Sequence, residues 1–244
     1  MIPLFDENLP GRGIPWVTLG LIVANIAVFL LLQGATGENS FTYGWSAIPL
    51  EITRGVDLTT AQTVSVGGTA YLVPEAAGPM PIQLTLLSSM FMHGGWLHLG
   101  GNMLFLWIFG DNVEHRAGPI LFLAGYLVAG LVGSLAQIIS APDSPIPSLG
   151  ASGAISGVLG AYIVLFPGNR VTTFIFRFLL QVPAWVVLGM WIALQLFNGF
   201  AVTEIGAEAG GVAYLAHVGG FATGLLFGFL LLRLPDAGEP RLER

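Results

Sequence analysis

The stretch GVAYLAHVGGFATGLLFGFLLL, residues 211–232, has no charged side chain and a single histidine, His217. A helix needs roughly 20 apolar residues to cross about 30 Å of hydrocarbon, and this stretch has that length. Gly220, Gly224 and Gly228 recur every fourth residue, which lines small residues along one helix face and lets a second backbone come close. An imidazole inside such a span is costly unless it faces a partner or a wet cavity. The stretch therefore reads as a membrane helix packed tightly on a neighbour. His217 would lie about two turns below its outer end, roughly 10 Å deep at 1.5 Å per residue.

Five more apolar segments read the same way, at about 15–33, 96–112, 117–139, 151–166 and 182–200, with Pro183 in the first turn of the last of these. The composition agrees. Of 244 residues 54% are hydrophobic and only 9% charged, against roughly 25% in soluble domains, and mean hydropathy is +0.78. Too few charges are present to cover a water-facing surface. The expected fold is an all-α membrane protein, a single domain over residues 1–244 built as a six-helix bundle.

The connections qualify this picture. Residues 34–95 form a long first loop, with a glycine- and proline-containing part from Gly34 to Pro81 and a β-prone patch at Thr63–Tyr71 broken by Gly67 and Gly68. Gly168–Gln181, rich in Phe and Leu and carrying Arg177, reads as a helix lying in the membrane interface. Met1–Pro10 holds Asp6 and Glu7 without a basic start, unlike a cleavable signal. The tail after Arg233 is short and polar, so no appended soluble domain is expected.

Charge placement orients the bundle. All eight cations are arginine. With six spans, Arg12, Arg116, Arg170, Arg177, Arg233, Arg241 and Arg244 fall on one side and Arg54 on the other. The positive-inside tendency places both termini in the cytoplasm of a multi-pass cell-membrane protein. Asp143, Glu204 and Glu208 fall on the opposite side. No basic run is present, so nucleic acid is not an expected partner. The absence of cysteine removes disulfides and thiol nucleophiles.

Three polar clusters lie toward the non-cytoplasmic side. Gly150-Ala151-Ser152-Gly153 opens the fourth segment, after Pro142, Pro145 and Pro147 have ended any upstream helix. Ser152 would sit at a helix N-terminus, where free N–H groups favour a developing oxyanion. Its ordinary reading is an N-cap serine. His217 also has an ordinary reading, as a histidine bonded within the bundle. What links them is spacing: Gly153, Gly157 and Gly160 on the fourth segment match the glycine stripe on the sixth, and close approach is what a Ser–His contact requires. In the third cluster, His98 and Asn102 are four apart and share a helix face. Both can donate, and with the Ser152 N–H they would form an oxyanion hole. His93 precedes that helix and could fasten the loop. A metal held by His93, His98 and His217 is the rival reading, but no carboxylate stands at ligand spacing in the same segments, so no metal is expected. Asp143 could orient His217. A carboxylate at membrane depth is expensive, which favours a two-residue arrangement. Ser156 faces the same side as Ser152 and could contact His217.

Together these motifs resemble the rhomboid intramembrane proteases. Gly150-x-Ser152-Gly153-x3-Gly157 is similar to their nucleophile motif, and Ala216-His217-x-Gly219-Gly220-x3-Gly224 to their histidine motif. His93-x4-His98-x3-Asn102 resembles their second-helix signature, and Asn112-Val113-Glu114-His115-Arg116-x-Gly118 the segment ending that helix. The resemblance covers about Ser88 to Leu232. It implies serine endopeptidase activity on transmembrane substrates within the bilayer, with Ser152 as nucleophile and His217 as base. It further implies an oxyanion hole of His98, Asn102 and the Ser152 N–H, structural roles for Glu114 and Arg116, a first loop partly embedded in the outer leaflet, and no cofactor. Some members carry Tyr at the position of Ser156, stacked under the histidine. Movement of the fifth helix and of the segment around Phe200–Ala209 would admit substrate. A non-catalytic rhomboid-like binder of transmembrane clients and a small transporter are the other classes. The first usually lacks one of the pair kept here, and the second would show paired charges or repeated broken helices.

Overall fold

The computed structural model describes residues 2–7, 13–66, 68–205 and 212–237. Arg12, Glu208, Arg241 and Arg244 lie outside them. The chain is mainly helical, with two small sheets that the all-helical expectation lacked. Strand β1 (Ile2–Phe5) leads into α1 (Trp16–Ala27), which widens into a π-helical turn over Val28–Leu32, closed by the Gln33 N–H on Val28 O at 3.0 Å. The first loop carries α2 (Ser40–Trp45), α3 (Pro49–Arg54), a hairpin of β2 (Gln62–Val66) and β3 (Thr69–Val73), and α4 (Thr85–Ser88). The hairpin falls on the β-prone patch, turning at Gly68 with a φ of 83°.

Four of the long helices begin or end at readable signals. Helix α5 (Trp96–Ala117) runs five residues past the expected stop at Asn112 and ends only where Gly118 takes a φ of 78°. Pro119 then opens α6 (Pro119–Ser140). Helix α7 (Ser152–Leu165) follows the proline-rich segment, and α9 (Tyr214–Leu232) starts after Ala213. Helix α8 (Ala184–Ile205) starts two residues later and ends five residues beyond the expected span.

The Gly168–Gln181 connector is not a helix. It forms β4 (Arg170–Ile175) and β5 (Phe178–Pro183), with β1 added alongside in the order β1-β4-β5. Val171, Thr172, Thr173 and Ile175 are β-branched and stiff at χ1, which favours the extended chain. The turn at Phe176-Arg177 places Phe176 at a φ of 54°. Pro183 closes β5 opposite Arg170 rather than entering α8, a sheet-end place where its missing N–H costs no ladder bond.

Two polar anchorages hold opposite ends of the bundle. At one end the Glu114 carboxylate accepts from Val17 N, Thr18 N and Thr18 Oγ1 at 2.9, 2.7 and 2.7 Å, satisfying the free first turn of α1. Arg116 donates to Leu231 O, Leu234 O and Pro235 O at the end of α9. Asp6 accepts from Tyr162 and Asn112 there. At the other end the first loop grips the segment before α7: Ala47 and Ser148 exchange backbone bonds, Leu50 N donates to Ser144 O, and Gly150 N donates to Ser89 O at 2.9 Å. This grip sets the entry of α7.

Helix α7 lies at the centre, buried from Gly153 to Tyr162 against α5, α6 and α9. Glycine allows the α7–α9 approach. A Cβ at Gly220 would lie 2.0 Å from Gly153 O, and one at Gly224 1.9 Å from Gly157 O. The outward faces are apolar: Leu31, Ile120, Ile139, Leu226 and Phe229 are all exposed. Helices α6 and α9 are long and apolar enough to cross a membrane, while α1 with its π turn, α7 and α8 are apolar over shorter runs.

Candidate active site

Ser152 is the first residue of α7, directly after Gly150 and Ala151. Gly150 has a φ of 134°, a conformation L side chains rarely adopt, and a Cβ there would lie 2.8 Å from His98 Nε2. Glycine at this position therefore serves both the backbone turn and the approach of the imidazole. His217 sits one turn into α9. Its Nε2 lies 2.7 Å from Ser152 Oγ. The paired glycines below them set the helix separation that this contact needs.

Both residues line an open cavity of about 600 Å³, together with His98, Asn102, Ser156, Leu149 and Trp191. His98 Nδ1 accepts from Gly94 N at 3.3 Å, so its proton resides on Nε2, the nitrogen facing Gly150. Asn102 is 8% exposed, and its Nδ2 has no hydrogen-bond partner within the protein. A buried amide donor without a partner is costly in a merely structural residue. Here it borders the cavity beside Ser152. The site thus gathers one hydroxyl, one imidazole in contact with it, and free donors around the same space.

Other expected positions fall differently. Ser156 is fully buried and donates to Ser152 O at 2.6 Å, not to His217. Asp143 pairs with Arg54 at 2.8 Å on the exposed loop. His93 packs its ring edge-on against His98 at 5.1 Å, and its backbone N–H and C=O are both held by the Gln33 amide. Burial first and the neighbouring His98 second push His93 down to about 3, so it is neutral. Among the described residues no three His, Asp or Glu side chains are grouped as a metal site. Gly157 faces α9 and Ala129 of α6; Gly219 faces Ala136 of α6 rather than α7; Gly153 has only ordinary contacts. Glu114 and Arg116 lie at the far end of the bundle from the cavity.

Two contacts to His217 were not anticipated from the sequence. Gln195 Oε1 on α8 lies 2.8 Å from His217 Nδ1, and the Trp191 ring packs against the imidazole at 5.8 Å, tilted by 37°. Trp191 and Gln195 are four apart on one helix face, and that spacing was the available signal. Trp191 thus meets the ring from α8, whereas Ser156 is engaged with Ser152 O.

The family model for the Rhomboid domain matches residues 83–234, which contain Ser152, His217, His98, Asn102, Trp191 and Gln195. The chain belongs to the rhomboid family. It is 33% identical over 163 residues to Rhomboid protein 1, mitochondrial, of Saccharomyces cerevisiae, covering 65% of this chain and 45% of that protein. To Rhomboid protease GluP of Bacillus subtilis it is 38% identical over 153 residues, covering 63% and 27%. To RHOMBOID-like protein 4 of Arabidopsis thaliana it is 30% identical over 251 residues, covering 93% and 57%. The chain thus spans less than two thirds of the length of these three relatives. The matched rhomboid region starts at the end of the first loop and leaves α1 and most of that loop outside it.

Proposed function

We propose that this rhomboid is an intramembrane serine endopeptidase that hydrolyses peptide bonds in or near the transmembrane segments of other proteins. The observation that carries the reading is the 2.7 Å contact of Ser152 Oγ with His217 Nε2 at a cavity bordered by Asn102, whose Nδ2 has no partner within the protein. In the mechanism, Ser152 Oγ attacks the scissile carbonyl carbon while its proton passes to His217 Nε2. The carbonyl oxygen takes up negative charge, which the Ser152 N–H, His98 Nε2–H and Asn102 Nδ2 would hold. Collapse breaks the C–N bond, and the imidazolium returns its proton to the leaving amine. A water, deprotonated by the same imidazole, then releases the acyl group from Ser152.

The helices α1, α5, α6, α7, α8 and α9 are the six proposed spans, with termini in the cytoplasm and the cavity opening to the other side. The exposed apolar faces and the anchorage of chain ends at the Glu114–Arg116 end support this arrangement. Helix α7 has 14 residues, about 21 Å of rise against roughly 30 Å of hydrocarbon. Its N-terminus would thus lie below the outer face, with the 142–149 segment as cavity wall, and water can reach a recessed site only through such a cavity. A substrate helix must unwind to present a carbonyl there, which favours single-span substrates with Gly, Ser or Pro near the outer face. No metal or cofactor enters these steps.

The test is cleavage of a fluorescent transmembrane reporter by purified protein in detergent, beside Ser152→Ala. Turnover in the wild type and its loss in the variant is the expected result. Equal turnover in both would remove Ser152 as nucleophile.

A further inference from the structure

A serine–histidine pair works only if the imidazole nitrogen facing the hydroxyl carries a lone pair. Nothing in the pair itself ensures this, because a neutral imidazole can place its proton on either nitrogen. What decides is the partner of the far nitrogen. Here that partner is Gln195 Oε1, 2.8 Å from His217 Nδ1. A carbonyl oxygen only accepts, so Nδ1 must hold the proton and Nε2 must be free to receive one. Had the amide NH2 faced the ring, Nδ1 would accept and Nε2 would carry the proton toward Ser152, and the base would be lost.

The surroundings leave this task to Gln195. Asp143 is paired with Arg54 on the exposed loop. From the same helix, Tyr214 meets the ring of His217 edge-on at 6.5 Å, and from α5 His98 borders the same cavity. From α7, Ser152 occupies Nε2. Trp191 on α8 packs against the ring at 5.8 Å, tilted by 37°, and also on Phe221. Both α8 contacts come from one helix face, and α8 lies against α9 at the edge of the bundle while α7 lies at its centre.

We propose that Gln195 is a positioning residue: its Oε1 accepts the Nδ1–H of His217, fixes the tautomer in which Nε2 takes the Ser152 proton, and so makes the seating of α8 a condition for an active base. The proposal rests on the protease reading above. During proton transfer His217 becomes an imidazolium with N–H on both nitrogens, and the amide oxygen keeps accepting from Nδ1 throughout. An outward displacement of α8 would remove the acceptor and the neighbouring indole together. The pair would then be held inactive until the helix returned.

The experiment compares wild type, Gln195→Met and Gln195→Glu as full-length protein in detergent, with 15N-labelled histidine. The His217 resonances are assigned by their loss in His217→Ala. The wild type should show Nδ1 protonated and Nε2 unprotonated at neutral pH. Met matches Gln in length but accepts only weakly, so the tautomer signal should shift toward Nε2–H and kcat should fall by about 10²-fold, with KM little changed. Glu keeps the acceptor and adds charge, so activity should be largely retained and the acid limb of the kcat profile should move up by about one pH unit or more. A wild-type tautomer pattern in Gln195→Met with kcat within about twofold overturns the proposal. Should the Met variant not fold, an unmoved acid limb in Gln195→Glu overturns it as well. If the wild type does not cleave the reporter, the protease reading fails, and the nitrogen shifts still report whether Gln195 sets the tautomer.

Discussion

At the scale of single residues, Asn102 separates function from stability most clearly. Its Nδ2 is buried without a protein partner, so its removal breaks no hydrogen bond made by that nitrogen in the resting protein. Asn102→Ala should therefore leave the thermal midpoint unchanged or slightly raised, while kcat falls by about 10²- to 10³-fold if this amide meets a developing oxyanion. Midpoint and steady-state rate, measured on the same preparation, check this. A fall in stability with unchanged rate would mark Asn102 as structural. Ser152 and His217 could be singled out in the sequence because a hydroxyl at a helix start and an imidazole in an apolar span are both chemically conspicuous. Gln195 and Trp191 offer only their i, i+4 spacing, since amide and indole side chains have many ordinary uses and proximity to His217 gives them meaning.

At the scale of elements, the α7–α9 pairing transmits glycine spacing into site geometry. A Cβ at Gly220 would lie 2.0 Å from Gly153 O, with backbone that cannot step aside. Gly220→Ala should push α9 from α7, cost roughly 1–3 kcal/mol, and stretch the Ser152–His217 contact beyond hydrogen-bond range. Gly153→Ala is the control: its Cβ would meet nothing closer than Ala216 O at 3.7 Å. Thermal midpoints should separate the two variants, with Gly220→Ala inactive and Gly153→Ala close to wild type in stability. Equal behaviour would mean that this interface is not set by glycine. The glycine stripes were visible in the sequence because steps of four or three residues keep small side chains on one helix face. The β4–β5 hairpin was not read, because its Phe- and Leu-rich residues suit an interfacial helix equally well, and only the β-branched Val171–Thr173 run and pairing with β1 tip the balance.

At the scale of the whole molecule, the first loop encloses two acids of its own whose oxygens are buried. Glu51 accepts from Leu58 N at 2.7 Å with one oxygen, while its other oxygen and both of Glu75 lack partners. Burial first, and Glu51 second, raise Glu75 to about 8. Burial first, offset by the Leu58 bond and reinforced by Asp57, raises Glu51 to about 7. Both carboxyls hold protons in the folded loop that the unfolded chain releases above about 4.5, so their contribution is full below that pH and is lost as pH rises through 7 and 8. Hydrogen exchange over residues 51–78, corrected for intrinsic rates, should show protection falling between pH 5 and pH 8.5. Glu75→Gln should flatten that fall. A pH-independent protection in the wild type would count against the buried acids as the cause.

Hydropathy, glycine period and arginine placement depend on residues near one another in the chain, so the sequence by itself determined the long apolar helices, the close-packing stripes and the candidate pair Ser152 and His217. What covers Nδ1 of His217, where Asp143 goes, and that Glu114 caps α1 from 96 residues away were decided only by the tertiary structure. The physical reason is that hydrogen-bond partners are chosen by distance in space, and no periodicity along a chain encodes which amide of a neighbouring helix arrives within 2.8 Å of a ring nitrogen.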